Sequence, residues 1–307
     1  MLEIALLLSL ILAFIVGSND VMGSLGIAYG SRILSMKKTI ILMAIFGVIG
    51  ISFFGHMIIN TIGNGIAEII NPLPIVVSAI IMAVAVLYFR IPTSMTQIVI
   101  GSIAGYALAV ESTVYWGNFI AILVSQIISP IIAIFLAGYM YLIYSKYVTS
   151  RRMEIEIRLK IKKLITYLQI VVGCLMAIAL GAMEVGVVMG FNLGIENLMI
   201  LETLGAVGIV LGISVWGRKI MRHVSRGFVS LTPEKGFVAQ LAGLITVLCF
   251  FAQSIPVSPT AVIMGSIIGI GRVTGKMNRN IFFDILVLWV FVVPFSMMIS
   301  FLVATIM

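Results

Sequence analysis

The chain has 307 residues, of which 62% are hydrophobic and 10% are charged, and its mean hydropathy is +1.24. About a quarter of the residues in an ordinary soluble domain are charged, so this composition excludes a soluble domain and indicates a membrane protein. The net charge of +8 reports membrane topology rather than an acidic partner, because basic residues accumulate in cytoplasmic loops, and no nucleic-acid-binding motif accompanies it.

Long apolar stretches predict the membrane-spanning helices. A stretch of about 18 apolar residues is long enough to cross a lipid bilayer. The first stretch lacks the basic start and the cleavage site of a secretory signal, so we interpret it as a retained span. The stretches that approach or exceed this length cover residues 2–17, 39–59, 73–89, 115–144, 164–182, 198–217, 236–255 and 281–307.

Several short motifs occur twice with a constant offset in residue number, which we call the repeat offset. Gly17-Ser-Asn-Asp20 recurs as Gly181-Ala-Met-Glu184, and two further glycines recur at the same offset. A Pro-x-Ser motif followed by Gly-Ser-Ile-x-Gly also occurs twice at this offset, at 92–105 and again at 256–269. An internal duplication in an apolar chain is typical of secondary transporters, whose sites lie where the two copies meet.

Equivalent loops of the two copies carry opposite charge. The loop 32–38 is basic, whereas its counterpart 196–202 carries two glutamates. In the same way, residues 60–72 hold a single acid and no base, and their counterpart 224–236 is basic. Because basic loops lie on the cytoplasmic side, this bias predicts that the two copies have inverted orientations.

We therefore predict an all-α integral membrane protein of the plasma membrane with two inverted-topology repeats, at 1–145 and 164–307. The basic loops are expected in the cytoplasm. Residues 146–163 would be a basic cytoplasmic linker, either an amphipathic segment at the membrane surface or a helical extension of a neighbouring span.

Two stretches, 73–110 and 236–271, begin and end on one side of the membrane. Each is either a pair of full spans or a re-entrant hairpin with its tip inside the protein. Pro92 and Pro256 break the helix and free backbone groups, and non-helical backbone at membrane depth must be buried in protein or line a cavity. We expect re-entrant hairpins with tips facing the site, and Arg90 at the membrane surface.

Asp20 and Glu184 are the candidate cation-coupling residues, together with Ser18 and Asn19. The two acids are related by the repeat and lie in apolar surroundings, where an ionisable residue is costly and marks a functional site. Their oxygens suit a Na⁺ ion, and a carboxylate could instead carry a proton. Alternatively, both acids cap broken helices, where they would accept hydrogen bonds from free N–H groups.

The candidate substrate-binding residues are polar side chains at the first repeated motif and after the two proline breaks. Each Pro-x-Ser-x-Thr motif places two hydroxyls at the N-terminus of the next helix, where free N–H groups and the helix dipole attract anions. Singly, each hydroxyl is best explained as an N-cap. As a symmetric set facing the two acids, they predict a site for a tetrahedral oxyanion, formed by Asn19, Ser94, Thr96, Ser258 and Thr260.

The remaining polar residues give weaker signals. His56 and His223 are unrelated by the repeat and are expected to be structural or at an interface. Gln240 and Asp284 are expected to line the protein interior. The sequence contains no nucleophile motif, histidine–cysteine cluster or phosphate-binding loop, so it does not indicate an enzyme.

With these motifs assembled, the sequence resembles the inorganic phosphate transporter (PiT) family and its sulfate-permease relatives. GSNDVMGSLGIAYGS at 17–31 is similar to the family's first signature, and the repeated segments at 92–105 and 256–269 are similar to its hairpin motif. Residues 217–241 are similar to a further conserved family segment. The resemblance implies an inverted-repeat membrane fold, phosphate as the usual substrate, Na⁺ or H⁺ as the coupling ion, no organic cofactor, and a homodimer as one assembly.

Some positions depart from the family pattern. Met183-Glu184 stands in place of the second Asn-Asp pair, Gln97 and Ala261 stand at the hairpin histidine, and Gln240 replaces a glutamate. The coupling ion therefore stays open between Na⁺ and H⁺. We predict a phosphate symporter that works by alternating access, with a sulfate permease or a passive anion channel as the alternatives.

Overall fold

The computed structural model describes residues 2–88, 94–149, 155–219, 221, 232–275 and 279–307, and it leaves the side chains of residues 2, 22, 149, 155, 158 and 279–290 undescribed. Within these ranges the regular secondary structure is helical apart from one isolated antiparallel bridge between Ala67 and Val114, which confirms the predicted all-α fold. The helices are α1 (Leu2–Asn19), α2 (Gly26–Gly30), α3 (Met36–Gly65), α4 (Leu73–Tyr88), α5 (Met95–Ala109), α6 (Trp116–Tyr144), α7 (Ile155–Met189), α8 (Leu198–Val215), α9 (Pro233–Phe251), α10 (Pro259–Val273) and α11 (Arg279–Ile306).

Side-chain caps fix where several of these helices begin. The Asn197 side chain accepts a hydrogen bond from the amide of Ile200 at the start of α8. The Thr232 side chain accepts one from the amide of Lys235 at the start of α9, where Pro233 supplies the first helical residue. Both are common helix N-terminal arrangements, since a polar cap satisfies an amide that the helix leaves free.

The helices fall into two length classes. Five stretches of the described chain are long and apolar enough to cross a membrane: Met36–Gly65, Trp116–Val148, Leu159–Asn192, Leu198–Val215 and Pro233–Phe251. By contrast, α4 has 16 residues and α5 and α10 have 15 each, about 22–24 Å at 1.5 Å per residue, which is shorter than the roughly 30 Å hydrocarbon core. Three of the four helices that flank the two proline motifs are therefore short, whereas α9, which precedes the second motif, has 19 residues and is long enough to cross a membrane.

Helices of one half pack mainly against helices of the other half. α3 packs on α7 and α1 on α8, while α5 packs on α11 and α6 on α10. Under the repeat offset α1 corresponds to α7, α3 to α8, α5 to α10 and α6 to α11. Each contact therefore has an equivalent in which the two halves exchange roles.

The direction of α1 relative to α7 follows from two contacts. Asn192, just beyond the end of α7, donates a 2.9 Å hydrogen bond from Nδ2 to Oγ of Ser9 in α1. At the other end of this contact, Asp20, which follows the last residue of α1, interacts with Glu184 of α7. Residue numbers therefore rise along α1 as they fall along α7. The repeat-related helices α1 and α7 therefore run antiparallel.

Glycines allow α3 and α7 to approach closely. The backbone of Gly47 lies directly against Gly181, and a side chain at Gly181 would overlap the Gly47 carbonyl. Further along both helices, Gly190 lies against Ile62. Because the residue numbers of the contacts rise in the same direction along both helices, α3 and α7 run parallel. Their backbones are in van der Waals contact.

Part of the predicted linker is helical. Residues 155–163 are the first turns of α7, so this part is a helical extension of the span, and the predicted boundary at residue 164 falls within α7. An exposed ion pair of 2.7 Å joins Lys160 and Glu156 there. Several predictions concern positions outside the description, namely residues 150–154, Arg90, Pro92, His223 and the side chain of Asp284.

Candidate functional site

The first repeated motif forms the break that the sequence predicts. α1 ends at Asn19, and Asp20 begins a 3₁₀ turn that runs to Gly23. Asp20 is buried, and Nδ2 of Asn19 donates a 3.3 Å hydrogen bond to its Oδ1. The carboxyl group of Asp20 is thus held inside the protein at the end of a membrane helix.

The second acid lies in a different local structure. Glu184 is buried within α7, which continues to Met189 before a short 3₁₀ turn at Gly190–Asn192. The alternative in which Glu184 caps the free amides of a broken helix is therefore wrong. Its backbone is helical, and capping does not explain a buried carboxyl at this position.

The two acids nevertheless meet. The side-chain carboxyl groups of Asp20 and Glu184 interact with each other, and Asp20 also interacts with the side chains of Asn19 and Thr260. Among the described residues, no basic side chain contributes to either environment. A pair of buried carboxyl groups without a compensating cation from the protein is costly unless a proton or a metal ion joins it.

Thr260 connects the second hairpin to this pair. Its hydroxyl oxygen lies beside the Asp20 carboxyl but has no hydrogen bond of regular geometry within the described structure. A Cβ atom at Gly23 would lie 2.8 Å from Oγ1 and 3.2 Å from the backbone nitrogen of Thr260, so glycine permits this approach. Oε2 of Glu184 is likewise buried without a partner among the described atoms. Two buried oxygen atoms of residues that interact with Asp20 thus have no hydrogen-bond partner in the described structure.

The serines of the two proline motifs have identical local roles. Oγ of Ser94 accepts a 3.3 Å hydrogen bond from the amide of Gln97, and Oγ of Ser258 accepts a 3.3 Å hydrogen bond from the amide of Ala261. Each serine is therefore an N-cap, of α5 and of α10 respectively. Because each hydroxyl only accepts in this contact, its proton remains available to a bound anion.

The two helix N-termini differ in the number of amides they offer. α5 begins at Met95 and has an N–H at both of its first positions, whereas α10 begins at Pro259, which has none. The first available amide of α10 belongs to Thr260, which lies against Gly23. Thr96 is buried in the first turn of α5, and α5 packs on α7, the helix that carries Glu184.

Ser18 has a different environment from its neighbours. Its hydroxyl donates a 2.8 Å hydrogen bond to the carbonyl of Ile15 within α1. A Cβ atom at Gly212 of α8 would lie 2.8 Å from the Ser18 amide, so this residue packs at the α1–α8 contact. The structure therefore places Ser18 against α8, and its assignment to cation binding stays a prediction.

Two glutamines hold the non-helical backbone near the site. Nε2 of Gln126 in α6 donates a 2.6 Å hydrogen bond to the carbonyl of Pro256 at the second proline motif. Nε2 of Gln240 in α9 donates a 2.9 Å hydrogen bond to the carbonyl of Ser24, which agrees with its predicted interior position. Gln126 was missed by sequence reasoning, although a primary amide inside an apolar span is the signal for such a role.

Comparisons with known proteins agree with this architecture. The sequence profile described as the phosphate transporter family matches residues 16–300. A protein of Methanocaldococcus jannaschii provisionally named a phosphate permease is 30% identical over 287 residues, which cover 92% of this chain and 91% of that protein. A protein of Chlamydia pneumoniae with the same provisional name is 23% identical and covers 94% of this chain and 93% of its own length.

A solved structure gives the same fold. The structure described as the sodium-dependent phosphate transporter superimposes with a TM-score of 0.88, covers 99% of this chain and 98% of its own, and is 20% identical in sequence. The family and this structural neighbour are transporters, not enzymes. The profile match over nearly the whole length and the relative at 30% identity establish that this chain belongs to the phosphate transporter family.

Proposed function

We propose that the protein is a symporter that moves inorganic phosphate across the plasma membrane by alternating access, coupled to Na⁺ or H⁺. Membership of the phosphate transporter family supports the substrate. The sodium dependence stated for the structural neighbour supports a cation as the coupling partner. The basic loops would lie in the cytoplasm, as the charge bias predicts.

The observation that carries the proposal is the buried pair of Asp20 and Glu184 beside Thr260. Two carboxyl groups in contact, without a basic partner in the described part of the chain, attract a cation, which would be held by the two acids and by the side-chain oxygens of Asn19 and Thr260. Carboxylate, amide and hydroxyl oxygens are suitable ligands for a hard cation such as Na⁺. A proton bound between the two carboxyl groups would offset the charge equally well.

The anion would lie between the N-termini of the two short helices. Ser94 and Ser258 would donate their hydroxyl protons to it, joined by Thr96, Thr260 and the free amides of the first turns. A cation at the Asp20–Glu184 pair lowers the electrostatic cost of binding an anion nearby. Each ligand therefore raises the affinity of the other, which is the reciprocal coupling that symport requires.

Alternating access would depend on the inverted orientation of the two halves. The antiparallel α1 and α7 and the exchanged helix contacts support a pair of inverted repeats at 1–145 and 164–307. In such a pair, rocking one half against the other opens the same central site first to one side and then to the other.

Unpartnered acceptor atoms favour phosphate over sulfate. Near neutral pH phosphate carries at least one O–H group, whereas sulfate carries none. Oε2 of Glu184, Oε1 of Gln97 and Oε1 of Gln240 are buried without partners in the described structure, and each can only accept a hydrogen bond as long as Glu184 is ionised. An anion that brings a proton can satisfy such an atom, and sulfate cannot.

The test is uptake of radiolabelled phosphate and sulfate into proteoliposomes, with Na⁺ and pH gradients imposed separately. We expect concentrative phosphate uptake that depends on one of the two gradients, and sulfate uptake well below it. Flux of phosphate that ignores both gradients would identify a passive channel, and preferential sulfate uptake would overturn the assignment of substrate.

A further inference from the structure

A line of buried polar side chains leads from the carboxyl pair to one end of the molecule. Gln169 and Glu184 both belong to α7, and the part of the helix between them is about 22 Å long. We call the buried side chains along this distance the polar line: Ser24, Gln240, Gln169 and Ser31. The end that the line approaches, which we call the basic face, carries four exposed basic side chains: Arg32, Lys38, Lys162 and Lys163.

The first part of the polar line borders the transport site. Ser24 follows Gly23, whose backbone lies against Thr260. Nε2 of Gln240 donates a 2.9 Å hydrogen bond to the carbonyl of Ser24. A Cβ atom at Gly173 would lie 2.7 Å from the same Nε2, so the Gln240 amide rests on α7. The line therefore starts next to the carboxyl pair, between α7 and α9.

The second part of the polar line reaches the basic face. Nε2 of Gln169 donates a 3.0 Å hydrogen bond to Oγ of Ser31, which follows the last residue of α2 and precedes the basic loop. The Gln169 amide also rests on Gly236 in the first turn of α9, where a Cβ atom would lie 2.5 Å from Nε2. The neighbouring Lys235 places Nζ 5.9 Å from the centre of the Tyr141 ring, so its ammonium group is held against α6. The polar line thus joins the transport site to the basic face.

The free amide atoms of the polar line are oxygens. Oε1 of Gln240, Oε1 of Gln169 and Oγ of Ser24 are buried without partners in the described structure. The orientation of both amides is fixed, because the Ser24 carbonyl can only accept and the Ser31 hydroxyl already donates to the carbonyl of Ile27. Buried acceptors left unpaired are costly, and such oxygens suit a hard cation rather than an anion.

The polar line occurs in one copy of the repeat only. The residues at the repeat offset from its members are apolar: Val188, Val76, Ala5 and Ile195. The hydroxyls of the proposed anion site, by contrast, recur in both copies. The line therefore has a role separate from that of the repeated hydroxyls.

We propose that the polar line is the path by which the coupling cation leaves the Asp20–Glu184 pair towards the basic face. This inference rests on the proposed symport and adds a release path to it. The oxygens of Ser24, Gln240 and Gln169 would bind the departing Na⁺, or protonated water, in turn, and polar side chains inside a membrane protein commonly mark such ion pathways. Gln240 lies nearest the site, so its oxygen can accept from a bound phosphate first and bind the cation afterwards.

A variant of Gln169 tests the path through transport kinetics. Gln169→Met keeps the length of the side chain and removes the amide oxygen, so we expect net cation-driven phosphate uptake to slow about tenfold or more. Exchange of labelled for unlabelled phosphate, with the cation at equal concentration on both sides, should stay near the parent rate, because exchange does not require the cation to leave.

Two further variants control for structural damage. Gln169→Glu keeps acceptor oxygens at this position and should be slowed less than Gln169→Met. Thr246→Val removes a buried hydroxyl that donates within α9 and should slow neither uptake nor exchange. Equal slowing of uptake and exchange by Gln169→Met, or no slowing of uptake, would overturn the proposal.

Thiol chemistry tests whether a small cation enters the polar line. In a protein carrying Cys174→Ala and Cys249→Ala, Ser31→Cys is treated with Ag⁺, a thiol-binding cation close in size to Na⁺. We expect Ag⁺ to block phosphate uptake when it is applied from the basic face. The orientation of that face in the vesicles is read by labelling Ser35→Cys, at an exposed position beside it, with an impermeant maleimide. The control Ser78→Cys, at a buried serine that donates within α4, should resist Ag⁺.

The cysteine-free parent separates failure of the path from failure of the symport. Its cation-driven phosphate uptake is measured first, and absence of that uptake would refute both proposals together. If the parent transports and Ag⁺ leaves Ser31→Cys active, or blocks Ser31→Cys and Ser78→Cys equally, the path is wrong and the symport proposal stands.

Discussion

Replacing Ser258 by alanine separates a capping role from a role in binding the anion. The Ser258 hydroxyl accepts a 3.3 Å hydrogen bond from the amide of Ala261, and loss of such an N-cap costs about 1 kcal/mol of stability. If the same hydroxyl also donates to phosphate, the variant loses a hydrogen bond to a charged group, worth about 1.5–3 kcal/mol. Since about 1.4 kcal/mol is a factor of ten, the apparent affinity for phosphate should fall roughly 10-fold to 150-fold.

The assay is the concentration dependence of phosphate uptake in proteoliposomes, with thermal unfolding in detergent measured in parallel. Ser35→Ala is the matched control, because Ser35 caps α3 by accepting from the amide of Lys38 and lies at the exposed end of that helix. We expect both variants to lose some stability but only Ser258→Ala to bind phosphate more weakly. If Ser258→Ala lowers the unfolding temperature and leaves the phosphate affinity unchanged, the hydroxyl is a cap only and the binding argument fails.

Three further predictions follow from the interior contacts. Asp20→Asn should reduce gradient-driven phosphate uptake at least about tenfold, because it removes one negative charge from the pair of acids proposed to bind the cation. Glu68→Gln, at an exposed acid, should transport normally. Equal uptake by the two variants would contradict the proposed site. Gly181→Ala should abolish the yield of folded protein, since its methyl group overlaps a backbone carbonyl of α3, whereas Gly117→Ala has open space around it and should fold, as size-exclusion chromatography would show. Gln126→Leu removes a 2.6 Å hydrogen bond to the buried carbonyl of Pro256 and leaves that carbonyl only the 3.4 Å hydrogen bond from the Ser125 hydroxyl. The variant should therefore cost about 1–3 kcal/mol and lower the thermal unfolding temperature, and an unchanged temperature would count against that contact.

Local sequence signals predict the helices and their ends well. The two proline motifs are related by the repeat offset, and the helices that follow them, Met95–Ala109 and Pro259–Val273, have equivalent bounds. Proline stops a helix, and the serine two positions later caps the next one, so the information lies within a few residues. The burial of both acids was also predicted from their apolar surroundings.

The repeat allowed a second helix break at Glu184, equivalent to the break at Asp20, and this alternative was wrong because the two copies differ in their local sequence. Ala182, Met183 and Glu184 favour helix, and α7 continues through them to Met189. The contact of Asp20 with Thr260 joins residues far apart in the chain, and no local pattern encodes such a distance. The role of Gln126 was missed for the same reason, since its partner lies on another hairpin.

The exchanged packing of the halves has a consequence for biosynthesis. The four most extensive helix contacts all join residues on opposite sides of the linker. They are the contacts of α3 with α7, α5 with α11, α6 with α10 and α1 with α8. A ribosome that has delivered only the first repeat has therefore delivered one member of each of these pairs and not the other. Until the later helices emerge, the glycine-lined faces and the carboxyl group of Asp20 lack their final neighbours, so the insertion machinery or a chaperone must shelter the nascent first half from lipid and proteases.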